Sequence, residues 1–240
     1  MSRVSTIFRR EIGYYFNSPV AYIFIDVFLI VTGILFFTTF FEAGQADMTN
    51  FFMLLPWVFL FFIPAVTMRL WAEERKSGTM EIVMTLPVKD WEVMLGKYLA
   101  SLAFLVITLV LSFPLAFICY RAAQVSPDGG PIIGGYLGAI LMGGAFLAVG
   151  IYFSSLTDNQ IIALIITIVC LAVFLLIGNP IFLGKLPPLV QPFFAFVALG
   201  EHFDSIGRGV IDMRDLLYYA SIIFFFLFLT MRSVESRKWR

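Results

Sequence analysis

His202 is the single histidine of the chain, and Glu201 and Asp204 flank it, a grouping whose residue types suit proton transfer or metal binding. One exposed imidazole among acids reads as surface rather than as a catalytic or metal centre, and no metal site is assigned. Cys119 and Cys170 each sit inside an apolar run with no second ligand at metal-like spacing, so they read as buried filler rather than as a disulfide. No GxxxxGK[ST] loop occurs, which removes P-loop ATP hydrolysis by this chain. An intramembrane protease, a lipid transferase or an ion-coupled carrier needs polar groups converging at membrane depth. Only Asp26 offers itself within an apolar run, about two turns from its start, where it can tie to Arg9 or Arg10.

The informative stretch is polar and runs from Arg69 to Lys97. Glu73, Glu74, Arg75 and Lys76 precede Gly78-Thr79, which supplies a chain break and a helix cap. Glu81 falls in the first turn, where the helix dipole favours an anion, and Pro87 stops the helix near Leu86. Residues 79–86 thus form a helix of about two turns with Ile82, Val83 and Leu86 on one side, and Asp90 can cap the helix that follows. A helix this short holds its shape only through tertiary or partner contacts. A solvated loop that merely fixes orientation accounts for the charges, but not for the ordered succession of break, cap, apolar face and stop.

The elements that must position this stretch are hydrophobic throughout. The chain is 60% hydrophobic, its mean hydropathy is +0.94, and 13% of its residues are charged, where a soluble domain carries about 25%. Net charge is zero, so nothing favours a nucleic-acid partner. Apolar runs at about 20–41, 51–68, 98–120, 132–154, 160–183 and 216–232 reach the roughly 20 residues needed to cross about 30 Å of hydrocarbon. The first is too long for a signal-peptide core and lacks a cleavage pattern, so it is retained as mature structure. Six spans place both termini on one side. That side then carries Arg3, Arg9, Arg10, Arg69, Arg75, Lys76, Lys89, Lys97, Arg232, Arg237, Lys238 and Arg240, twelve of the 16 basic residues, and the positive-inside rule makes it cytoplasmic.

Residues 3–17 place Val4, Ile7, Phe8, Ile12, Tyr15 and Phe16 near one helix face and Arg9, Arg10 and Glu11 on the other, as in a helix lying in the membrane interface. Asn17-Ser18-Pro19 breaks it and turns it into the first span as an elbow. Gly135, Ala139 and Gly143, and again Gly144 and Ala148, recur four apart, so the fourth span packs closely on protein. Prolines 56, 64, 114 and 180 are expected to bend or end their helices. Between Gly184 and Asp215 the chain is apolar but interrupted by Pro187, Pro188 and Pro192. It reads as an outer segment that dips into the membrane without crossing.

Glu74-x-x-x-Gly78-Thr79-x-Glu81, then Leu86-Pro87 and Gly96-Lys97, together with the elbow, span count and broken outer segment, resemble the type-2 ABC transporter permeases. The stretch from Glu201-His202-Phe203 to Asp215-Leu216 and the ending Glu235-Ser236-Arg237-Lys238-Trp239 resemble the gliding-motility-associated branch, a relative of the nitrous-oxide-reductase maturation permeases. The resemblance implies an all-α integral membrane protein with residues 1–240 as one transmembrane domain in a bacterial inner membrane. It further implies a dimer with an identical or different permease subunit, resting on two ABC ATPase subunits that carry the ATP and Mg this chain lacks. Glu74, Gly78, Thr79, Glu81, Ile82, Val83, Leu86, Pro87 and Lys97 would belong to the coupling helix and its ATPase contact, and the turn Ser155 to Gln160 would be a smaller one. Export is the implied activity. The alternative is a non-transporting subunit that transmits ATP-driven motion to a periplasmic or membrane auxiliary protein.

Overall fold

The computed structural model describes residues 3–43, 48–80, 88–122, 129–207, 209 and 212–236, and all regular structure among them is helical. In chain order the helices are α1 Arg3–Phe16, α2 Pro19–Ala43, α3 Thr49–Thr67, α4 Arg69–Lys76, α5 Asp90–Leu111, α6 Phe113–Ala122, α7 Gly129–Leu156, α8 Gln160–Leu176, α9 Pro180–Leu183, α10 Gln191–Val197, α11 Leu199–Gly207 and α12 Met213–Glu235.

Among the described residues five stretches are long and apolar enough to cross a bilayer: Pro19–Thr38, Phe51–Lys76, Asp90–Leu115, Gly129–Leu156 and Met213–Glu235. The sixth expected span, 160–183, is a shorter apolar helix of 17 residues, α8, about 25 Å long at 1.5 Å per residue. It ends at Leu176 because a turn through Gly178 leads to Asn179, whose side chain caps a separate short helix, α9, with Pro180 at its start. Pro56 and Pro64 stay inside α3, which ends only at Thr67. Pro114, by contrast, follows the turn at Ser112 that separates α5 from α6. Asp90 opens α5 as its first residue. The backbone N–H of Lys89 is met instead by Glu92, whose Oε2 accepts from it at 2.9 Å.

The glycine-rich α7 is the hub, against which α3, α4, α5, α8, α11 and α12 pack. Ala139, Met142, Ala145, Phe146, Ala148, Val149 and Ile151 are buried along it. The glycines are spacers for close approach. A Cβ on Gly150 would lie 2.2 Å from Thr67 Oγ1, and one on Gly143 would lie 2.4 Å from Leu105 Cδ2. The outward faces are apolar too: Tyr22, Ile23, Val27 and Ile30 on α2, Ile161, Ile165 and Val169 on α8, and Leu217, Phe224 and Phe225 on α12 are exposed. A surface this apolar belongs against lipid or protein rather than water. The broken segment 180–207 is built from α9, α10 and α11, with Ile181, Leu189, Phe193 and Phe196 exposed.

Candidate functional site

At one end of the bundle α1 lies across α5, and α4 runs on from α3 beside it. Gly96 makes the first contact possible, since a Cβ there would sit 2.6 Å from Ile7 Cγ2. The absent side chain lets α1 approach until Glu11 reaches its neighbour in sequence, Lys97. The Lys97 ammonium, 2% exposed, donates to Glu74 Oε1 at 2.8 Å, to Glu11 Oε1 at 3.3 Å and to the Leu70 carbonyl at 2.9 Å. All three of its protons are thus used, and the Trp71 ring lies 5.1 Å away. Arg10 closes the group from outside, with Nη2 at 2.6 Å from Glu11 Oε1 and 3.2 Å from Glu74 Oε1. Two acids and two bases from three helices form one network.

Its electrostatics are self-consistent. Burial by itself pushes the Glu11 carboxyl up, but the Lys97 ammonium and the Arg10 guanidinium outweigh it and hold the group below the usual carboxylate range. Glu11, expected on the polar face of α1 beside Arg9 and Arg10, is therefore buried. Arg10 pairs with Glu11 and Glu74 rather than with Asp26, which is exposed on α2 along the same face as Tyr22, Ile23 and Val27.

The network floors a cavity of about 630 Å³ between α1 and α4, lined also by Arg9, Tyr14, Tyr15, Arg69 and Glu73. Tyr14 donates to Glu73 Oε1 at 3.0 Å. Arg69 is stacked between two rings, its guanidinium carbon 4.9 Å from the centre of Tyr14 and 4.8 Å from that of Tyr15.

α4 is fastened at both ends by contacts that sequence reading missed. Ser154 Oγ, from α7, accepts from the backbone N–H groups of Trp71 and Ala72 at 3.1 and 3.2 Å and donates to the Met68 carbonyl at 2.9 Å. It caps α4 from another helix, a role for which local sequence carries no signal. Arg75 Nη1 donates to the Ser155 carbonyl at 3.0 Å, tying the far end of α4 to the last turn of α7. Gly78 has φ +71°, the left-handed region that stops α4, and residues 79 and 80 are helical again. The Thr79 hydroxyl turns back to the Glu74 carbonyl at 3.4 Å and lies 2.8 Å from Ser77 Oγ. Glu81, Ile82, Val83, Leu86 and Pro87 lie outside the described residues. Glu74 is thus on α4, while Gly78 and Thr79 lie at the turn and the renewed helix directly after it. Lys97, placed by its motif among the residues meeting a partner, is enclosed within the chain.

The His202 grouping also differs from expectation. The imidazole is partly buried, with Nδ1 2.7 Å from Asp215 Oδ1 and Nε2 2.9 Å from the Phe196 carbonyl, and Tyr218 stacks on its face. Ser205 donates to the other Asp215 oxygen. This is no nucleophile triad, because the serine faces the acid and both imidazole nitrogens are occupied. The contacts fasten α10 and α11 to the first turn of α12. Among the described residues no group of three or more His, Cys, Asp or Glu side chains is placed to hold a metal.

The family model described as "ABC-2 family transporter protein" matches residues 12–232, spanning all the helices above except the start of α1 and the end of α12. No curated protein matches the chain.

Proposed function

Because the chain belongs to the ABC-2 transporter family and is a multi-pass membrane permease component, we propose that it couples ATP hydrolysis by a separate ABC ATPase to export across a bacterial cytoplasmic membrane. The segment 79–86 is the coupling helix. The observation that carries this reading is the fastening of α4, the helix that leads into that segment. Lys97 and Arg10 bind it to α5 and α1, and the Ser154 and Arg75 contacts bind it at two points to α7. A push on residues 79–86 therefore reaches α1, α5 and α7 together instead of being absorbed by a loose loop, as a rigid-body change requires.

In this reading α8 with the residues after it is the fifth of six spans, α1 is an interfacial elbow, both termini are cytoplasmic, and two permease subunits sit on two ATPases that bind ATP and Mg. The exposed apolar residues of 180–197 suit a re-entrant segment. They suit equally a non-transporting subunit that moves a periplasmic partner, which a nucleotide-bound complex with no path between its subunits would favour. The test is co-purification of the native complex, followed by the Glu81→Ala and Gly78→Pro variants. Both are expected to insert normally yet lose ATPase association or turnover. A native assembly without an ATPase, or full coupling in both variants, defeats the proposal.

A further inference from the structure

Arg69 is only 9% exposed, and among the described residues its Nε and Nη2 atoms are buried without a hydrogen-bond acceptor. The rings of Tyr14 and Tyr15 contribute cation–π attraction, but they give Nε and Nη2 no acceptor. A buried guanidinium with no anion on its edge is costly, because burial removes the water that would otherwise serve it. The neighbouring acids make no hydrogen bond to these atoms: Glu11 Oε1 and Glu74 Oε1 are committed to Lys97 and Arg10, Glu73 accepts from Tyr14, and Glu74 Oε2 is buried without a hydrogen-bond partner of its own. The accessible remainder of Arg69 opens on the 630 Å³ cavity. Among the described residues its lining carries the bases Arg9, Arg10, Arg69 and Lys97 and the acids Glu11, Glu73 and Glu74.

We propose that this cavity holds the headgroup phosphate of one membrane phospholipid, with Arg69 as its principal ligand. Three features select this occupant. A phosphodiester offers acceptor oxygens to Arg69 Nε and Nη2 at the cost of a single negative charge, whereas inorganic phosphate or a nucleotide brings more charge beside three carboxylates. Arg69 follows the Thr67-Met68 turn that ends the apolar span α3, so it stands at the depth of lipid phosphates, while Ser77 at the other end of the cavity is about 12 Å farther along the helix. The volume also exceeds what an inserted acidic side chain would fill, and it accommodates a glycerophosphate group entering beside the amphipathic α1. The inference rests on the proposed orientation, in which this end of the bundle meets the cytoplasmic leaflet. A lipid seated there would wedge α1 against α4 and so bear on the element that leads to residues 79–86.

The test uses the purified full-length chain in detergent, without any ATPase, so that its outcome is independent of whether the coupling proposal stands. Native mass spectrometry with added phosphatidylglycerol, phosphatidylethanolamine or inorganic phosphate should show one tightly retained phospholipid on the wild type. Arg69→Gln should weaken retention tenfold or more, and Arg69→Lys, which keeps the charge but loses the planar fork, by less. A photoactivatable headgroup on the wild type, which avoids any folding defect of the variants, should label peptides from α1 and α4. Labelling only elsewhere overturns the proposal. So does equal lipid retention by the wild type and Arg69→Gln. Displacement of the lipid by millimolar inorganic phosphate would overturn the lipid as the source of the phosphate.

Discussion

Replacing Lys97 by Met tests the ion network most directly, because it keeps the length of the side chain and removes only the charge and its three hydrogen bonds. In the wild type Glu11 Oε1 and Glu74 Oε1 both face Nζ, at 3.3 and 2.8 Å. Without it two carboxylates confront each other with Arg10, half exposed, as their remaining counter-charge among the described residues. Breaking a buried pair by removing one partner costs roughly 3–5 kcal/mol. Glu74 retains some solvent and Arg10 persists, so the lower end, about 3 kcal/mol, is expected. Thermal unfolding in detergent should register this as a clear fall in midpoint. The double variant Lys97→Met/Glu11→Gln should recover a substantial part, since removing both partners of a pair is far milder than stranding one. The pH dependence has a definite sign. The depressed Glu11 carboxyl contributes stability that is present above its unfolded value and is lost as pH falls through its lower folded value. In Lys97→Met that depression shrinks, so the variant, already less stable at neutral pH, loses less further stability than the wild type as pH falls through this range. A wild-type midpoint for the single variant, or a double variant no better than the single, would refute the assignment of Lys97 as the keystone.

Gly150→Ala should destabilise by about 1–3 kcal/mol, the usual cost of overpacking, because its Cβ would fall 2.2 Å from Thr67 Oγ1 at the α3–α7 contact. The same unfolding assay reads it, with Gly129→Ala, which has open space around it, as the control. His202→Phe keeps a ring against Tyr218 but strands the buried Asp215 with Ser205 alone. It should raise hydrogen exchange in residues 196–207 while leaving α4 and α5 unchanged.

The apolar runs of the chain were legible because the bilayer imposes a length and composition that no soluble packing requires, and the close packing of α7 because small residues four apart have few other uses in lipid. The ion network was not, and Glu11 shows why. Helical periodicity groups it with Arg9 and Arg10 on a polar face, and periodicity alone cannot distinguish a face turned to water from one turned to a buried lysine 86 positions away. Gly96-Lys97 held the missing information. A glycine beside a lysine at the start of an apolar run permits another helix to approach there and gives it a charge to meet. Ser154 and Arg69 carry no such local trace, since one caps a helix distant in sequence and the other is defined by the acceptor it lacks. The same reasoning explains why α4 is the mechanical centre of this end. Its eight residues hold too few apolar contacts to order themselves, so their order comes from α1, α5 and α7, and whatever displaces α4 must displace all three.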